Sequence, residues 1–488
     1  MDKYKALIGL EMHCEISKTN SKVFSSAANN YDCEANSNIA PLDMAFPGTL
    51  PVVNKEAVRK ALIASIILNC KQPEYIYFER KNYYYPDLPK GFQITQETKP
   101  APVGIYGSID YECNGEIKTA KINNIHLEED SAATDHQTNY STIDYNRAGV
   151  PLLELVTEPV FHNANEAVSF LETMRSIYQY TDISDADSKK GQVRCDVNVS
   201  IMDIDKDEND SSNWGTKIEI KNVNSFSSVR EAINSEIERQ IELKENGKYD
   251  EMEQQTRRFD EDSRETVMMR AKGDAVDYKY YTEPNILPIR LDHQWVMQIK
   301  DNLPMMADER EKVYINQYGL PKTDAHILVS NKAISDFYEA AIQTCQEYKL
   351  VCNWLLGEVQ AYLNKENLAI SETKLTPQYL GKMITFIQDG TISSKQAKKV
   401  FECLMAEGKD PEIIIEEKGM KQISDPEQLK IIINEILDNN AQSIQDFAAG
   451  KDRAVGFLVG QIMKNTGGQA NPKIANQILI QLLKERTK

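Results

Sequence analysis

Apolar and polar residues alternate in four separate stretches of the chain, and each stretch predicts a half-buried strand. Over residues 8–15, Ile8, Leu10, Met12 and Cys14 alternate with Gly9, Glu11, His13 and Glu15. Successive side chains of a strand point to opposite faces, so Glu11, His13 and Glu15 share one face. Over 125–130 the same period sets His126, Glu128 and Asp130 against Ile125 and Leu127. Over 193–200 it sets Arg194, Asp196, Asn198 and Ser200 against Val193, Cys195, Val197 and Val199. Lys217, Glu219 and Lys221 oppose Ile218 and Ile220 in the fourth, and the polar stretch 202–213 between the last two reads as a hairpin tip. Polar faces that repeat carboxylates together with histidine predict a lined cavity rather than a plain solvated surface.

Other stretches carry helical spacing. Residues 54–69 place Val58, Leu62, Ile63 and Ile66 on one side, and 225–247 form a longer amphipathic pattern. Residues 21–51 are irregular and close on the turn signal FPGTLP, while 254–289 return to strand and loop. From His293 onward the pattern is helical. Thr376-Pro377, Asp410-Pro411, Asp425-Pro426 and Asn471-Pro472 each pair a capping residue with proline at the first helical position. The order predicts an α+β fold: a β-rich domain over 1–292, an all-helical domain over 293–408 and a small helical tail over 409–488. The tail is locally basic, with Lys451, Arg453, Lys464 and Lys473 among its cations.

Composition narrows the class. A chain of 488 residues has room for two to four domains and a large core. A mean hydropathy of −0.50 with 41% hydrophobic residues describes a soluble globular protein. No apolar run reaches the roughly 18 residues of a membrane span, and the N-terminal pattern matches neither a secretory signal nor a transit peptide. Eight scattered cysteines without a CxxC pair predict reduced thiols in the cytoplasm, and no structural zinc or disulfide framework. A net charge of −18 excludes a generally basic nucleic-acid binder but leaves room for local basic patches.

The candidate chemistry centres on Glu154, inside the apolar run PLLELV (151–156). An ionised carboxylate there is costly unless it meets a cation, a metal or strong donors, and Arg147 offers a simple ion pair. Residues 78–96 interleave Arg80, Lys81 and Lys90 with Tyr83, Tyr84, Tyr85 and Phe92, a mixture that suits phosphates and stacked bases or an ordinary packed loop. No P-loop, Rossmann turn or GxSxG elbow occurs. Carboxylates and histidines without thiolates suit a hard divalent ion, and such an ion beside Lys and Arg points to phosphoryl transfer on a β-rich domain.

IGLEMHCEI, FERKNYYYPDLPKGFQITQ, IHLEED, DYNRAGVPLLELVTEP, GQVRCDVNVS, KIEIKNVNSF and GFLVGQIMKNTGGQANP together resemble the B-subunit family of aspartyl/glutamyl-tRNA amidotransferases. They stand in the family's order over nearly the whole chain, which lacks the zinc-binding cysteine cluster of some members. The resemblance implies a β-rich cradle that binds ATP and Mg²⁺ and phosphorylates the side-chain carboxylate of Glu on tRNA(Gln) or Asp on tRNA(Asn). It implies two protein partners, an amidase (the A subunit) that supplies ammonia and a small belt (the C subunit). It also implies a tail that contacts tRNA through Lys451, Arg453, Lys464 and Lys473. Carried over residue by residue, Glu11, His13, Glu128 and Glu154 match catalytic and metal positions, with Glu129 a further metal candidate. Alternation groups Glu128 with His126 and puts Glu129 on the other face unless the strand bulges. Lys81, Lys90, Arg194, Asp196, Lys217 and Lys221 are candidates for phosphate and aminoacyl-end binding. A free-standing carboxylate–amine ligase and an RNA-binding scaffold with structural carboxylates are the competing readings.

Overall fold

The alternating stretches become neighbours in one eight-stranded sheet. The computed structural model describes residues 3–98, 101–223, 225–271, 278–423, 425–451 and 453–487. The strands are β1 (Tyr4–Glu15), β2 (Gly104–Cys113), β3 (Glu116–Glu129), β4 (Pro151–Thr157), β5 (Val193–Asp203), β6 (Ile218–Val223), β7 (Gln255–Asp260) and β8 (Glu265–Ala271). Their order in space is β8-β7-β6-β5-β1-β4-β3-β2. Only the β6–β7 pair is parallel; the other neighbours run antiparallel. The first strand therefore sits in the middle, between two strands that follow it by long stretches of chain.

One face of this sheet is covered and the other is polar. Ile8, Leu10, Met12 and Cys14 of β1 enter a single core with helices α1 (Lys55–Ile67), α2 (Ala164–Tyr180) and α3 (Phe226–Glu245). Full burial of each such side chain contributes about 1.5–3 kcal/mol, which outweighs any preference of the polar face for a different register. Asn54 caps α1 by accepting from the Glu56 and Ala57 N–H groups, and Ser225 caps α3 by accepting from Ser228 N–H. Where β2 runs beneath the end of α1 the backbones nearly touch: a β-carbon on Gly107 would lie 2.4 Å from the Leu68 carbonyl oxygen. A separate three-stranded sheet, Tyr281–Thr282, Glu79–Asn82 and Phe92–Thr95, brings the aromatic–cation stretch against the polar end of β3.

The chain divides into two compact units, Met1–Met306 and Ala307–Lys488. Helix His293–Asp301 belongs to the first, because Ile299 is part of the sheet's core. The second unit is helical and holds two apolar clusters, one including Tyr338, Leu380 and Leu404, the other Leu429, Leu458 and Leu479. Helix Pro411–Glu417 contributes Ile414 and Ile415 to the first of these. All four helix starts anticipated from proline form, with Thr376, Asp410, Asp425 and Asn471 each accepting a backbone N–H of the first turn. Among the described residues no helix is long and apolar enough to cross a membrane.

Candidate active site

Cross-strand register builds the site. His13 stands opposite Glu154 in the β1–β4 pair, and His126 stands opposite Glu154 in the β3–β4 pair. Directly opposed residues share a face, so Glu154 is enclosed between two imidazoles. Its Oε2 lies 3.1 Å from His13 Nε2 and 3.3 Å from His126 Nε2. The only register shift in the β3–β4 pair falls between Ile122 and Asn124, so alternation holds beyond it. Glu128 accordingly faces His126, with Oε2 3.9 Å from its Nε2, and accepts a hydrogen bond from Thr95 Oγ1 at 3.1 Å.

Glu129 points the other way. It accepts from Lys90 Nζ at 2.6 Å and from the Ile94 N–H at 2.9 Å. The structure thus brings Lys90 and Glu129 to each other and leaves both out of the Glu154 cluster. Arg147 is not the partner of Glu154, contrary to the simple ion-pair expectation. Its Nε lies 3.6 Å from Asp130 Oδ2 and donates to the Ser131 carbonyl at 3.0 Å, because the turn that holds it curls back over the end of β3.

The charges in the cluster depend on one another. Burial alone would push Glu154 up, but His126 and His13 outweigh it and hold the carboxyl well below its usual range. Burial likewise pulls both imidazoles down, and the Glu154 charge overcomes it, so each is raised. Glu128 is raised by its own burial and by Glu154. Lys81 would be lowered by burial, yet Glu128, Glu97 and Glu154 together raise it; its Nζ pairs with Glu97 at 2.9 Å.

Glu11 joins a second acidic set rather than the first. It stands opposite Asp196, and Asn198 stands opposite Glu219. One carboxylate oxygen from each of Glu11, Asp196 and Glu219 lies within 4.8 Å of the others. Asn198 Nδ2 donates to Glu11 at 2.9 Å, and Lys221 Nζ bridges Asp196 at 3.1 Å and Glu219 at 2.9 Å. Burial, followed by Glu154 and this acidic company, raises Glu11. Arg194 stands opposite His13 and is gripped by Asp130 through two contacts of 3.2 and 3.3 Å. Lys217 lies exposed just ahead of β6.

Comparison with known proteins places this architecture. The family model for the GatB/GatE catalytic domain matches residues 6–297, and a further GatB domain matches 336–483. The chain belongs to the GatB family. It is 47% identical over 485 residues to the B subunit of the aspartyl/glutamyl-tRNA(Asn/Gln) amidotransferase of Oceanobacillus iheyensis, covering 99% of this chain and 100% of that one. The proteins of the same name from Macrococcus caseolyticus and Listeria monocytogenes are each 46% identical, over 483 and 484 residues, again covering 99% of this chain and 100% of theirs. The resemblance drawn from the ordered motifs therefore holds. All residues of both acidic sets lie inside the matched GatB/GatE catalytic domain.

Within this GatB catalytic domain the donor set fits a divalent cation. One ligand atom each from His13, Glu128 and Glu154 lies within 4.8 Å of the others. Among the described residues, His13 Nδ1 is buried without a hydrogen-bond partner, a costly state that a ligand relieves. Carboxylate oxygens with imidazole and no thiolate suit a hard ion. His126, Glu219 and Asn198 are the residues that sequence reasoning did not assign to the site. Each occupies a polar position of an alternating strand, so the signal existed, but alternation does not say which strands lie side by side. In the second unit Lys451, Arg453, Lys464 and Lys473 are all exposed, and Lys451 pairs with Asp446 at 2.9 Å.

Proposed function

We propose that this chain acts as the B subunit of an aspartyl/glutamyl-tRNA(Asn/Gln) amidotransferase, and that its polar sheet face activates an aminoacyl side chain for amidation. The side-chain carboxylate of Glu on tRNA(Gln), or of Asp on tRNA(Asn), attacks the γ-phosphorus of ATP. A C–O–P linkage forms and ADP leaves with the broken bond. Ammonia then attacks the carbonyl carbon, phosphate departs, and the amide of Gln-tRNA(Gln) or Asn-tRNA(Asn) remains. The observation that carries this reading is the enclosure of Glu154 between His13 and His126 with Glu128 alongside.

Mg²⁺ held by His13, Glu128 and Glu154, with a second position at Glu11, Asp196 and Glu219, would supply neutralisation of phosphate charge when bound. His126 fixes Glu154 from the opposite side and keeps its carboxylate ionised. Lys81, raised by the surrounding carboxylates, meets anionic oxygen atoms next to Glu128. Arg194, held flat by Asp130, presents its remaining donors on the same face, and Lys221 orients Asp196 and Glu219. Lys90 and Lys217 stand farther from the cluster as contacts for the incoming end. No protein nucleophile is required, since the substrate carboxylate attacks directly. Burial of Glu128, Glu154 and His126 limits water at the cluster, which would otherwise hydrolyse an acyl phosphate.

Ammonia would come from the glutamine-hydrolysing amidase, the A subunit, joined to this chain by the small belt-like C subunit in a cytoplasmic heterotrimer. We assign tRNA contact to the exposed Lys451, Arg453, Lys464 and Lys473 of the helical tail. The test uses the assembled complex with mischarged Glu-tRNA(Gln). Mg²⁺-dependent ADP release should rise strongly with the charged tRNA and fall by about a hundredfold or more in Glu154→Gln while tRNA binding persists. Tight tRNA binding without stimulated ADP release, in a complex with an active amidase, retires the phosphoryl-transfer role.

A further inference from the structure

The loop between Glu79–Asn82 and Phe92–Thr95 holds aromatic residues that phosphoryl transfer does not use. Its Lys90 pairs with Glu129, and Arg80 and Lys81 of the strand before it pair with Glu283 and Glu97. Its aromatics are not all packed. Tyr84 is 95% exposed and Tyr85 62%. With Pro86, Leu88 and Pro89 they line a cavity of about 490 Å³.

These rings stand on a fixed support. Leu88 is buried, Leu88 N–H donates to the Tyr85 carbonyl at 3.0 Å, and Tyr83 N–H donates to the Gly91 carbonyl at 3.2 Å. From outside the loop, Ala132 N–H and the Tyr145 hydroxyl donate to the Asp87 and Pro86 carbonyls, each at 3.0 Å. Two prolines restrict φ within it. The Tyr84 ring passes over Gly91, where a β-carbon would lie 3.2 Å from Cε1. The backbone beneath the rings is therefore ordered before anything docks on them.

The hairpin that carries the loop also borders the acidic cluster: Thr95 Oγ1, on its second strand, donates to Glu128 Oε2 at 3.1 Å. A platform whose free surface is two aromatic rings suits a flat ring. Bases stack on such surfaces regardless of sequence, because every base has a π-face.

We propose that Tyr84 and Tyr85 form the stacking platform for the unpaired 3′-terminal bases of the aminoacyl-tRNA. They hold its esterified end beside Glu128 and Glu154. This rests on the reading of that cluster as the site that acts on the aminoacyl end, and it names which part of the RNA the cradle grips.

The test measures affinity of the assembled complex for two uncharged forms of tRNA(Gln), one intact and one with its terminal CCA removed. Y84A/Y85A should weaken intact tRNA by about tenfold or more and leave the truncated form unchanged, while Y84F/Y85F keeps wild-type binding. Equal affinity of Y84A/Y85A and wild type for intact tRNA overturns the proposal. So does an equal loss on both tRNAs, or a loss in Y84F/Y85F as large as in Y84A/Y85A, which would mean hydroxyl hydrogen bonding. Failure of Y84A/Y85A to assemble with its protein partners, with tRNA affinity of the isolated chain intact, assigns the rings to a protein contact instead. None of these outcomes depends on ADP release, so the phosphoryl-transfer reading is judged separately.

Discussion

His13 and Glu154 face each other directly across the β1–β4 pair, with Nε2 3.1 Å from Oε2, and His126 closes on the same oxygen from the far side. One carboxylate between two imidazoles couples the stability of this face to pH.

In the metal-free chain both imidazoles bind their proton more tightly when folded, because the Glu154 charge outweighs the penalty of burial. A raised histidine contributes stability that is complete below its unfolded value of about 6.5 and is lost as pH rises through the folded value. The melting temperature should therefore fall as pH rises beyond the ordinary histidine range, and E154Q should flatten that fall. Calorimetry at a series of pH values checks it, and an equal slope in E154Q contradicts the coupling.

Asp130 is buried and anchors Arg194 through both carboxylate oxygens, with Arg147 alongside. Asp130→Asn removes the nearest counter-ion of two partly exposed guanidinium groups, which keep Glu15 nearby, and should cost about 1–3 kcal/mol. Urea unfolding at neutral pH measures the loss. A change below about 1 kcal/mol would show that water satisfies the arginines.

The close passage of β2 under α1 is equally exposed to test. Gly107→Ala would drive a methyl group to 2.4 Å from the Leu68 carbonyl and 2.5 Å from Cys70 Sγ. The backbone must shift, at a cost of about 1–3 kcal/mol. A melting temperature equal to wild type would mean that the two elements are not packed this closely.

Thiol chemistry reports on the same core. Burial pushes Cys14 and Cys70 up to about 12, so both remain protonated and enclosed at pH 8, whereas Cys33 is exposed. Iodoacetamide should modify Cys33 long before either of the others, as read by mass spectrometry of the peptides. Early labelling of Cys14 would be incompatible with its place under the sheet.

For the tail, substitution of Lys451, Arg453, Lys464 and Lys473 by alanine should lower the salt dependence of tRNA binding by the assembled complex. Each lost phosphate contact removes about 0.7–0.9 from the log–log slope. An unchanged slope takes these four residues out of the RNA interface.

By itself the sequence determined which residues share a strand face and where helices begin. Period-two alternation is a local consequence of backbone geometry, so Glu11, His13 and Glu15 had to project together, and Glu128 had to part from Glu129. Capping is local too, which is why the Thr376, Asp410, Asp425 and Asn471 starts were legible. Only the tertiary structure decided which faces meet. Register between strands far apart in the chain is set by apolar burial on the covered side, where a slip of one residue would turn every core side chain outward. That long-range pairing carried Glu154 to His13 and His126 and not to Arg147. It separated Glu11 from His13 by drawing it toward Asp196 and Glu219, and it left Tyr84 and Tyr85 exposed.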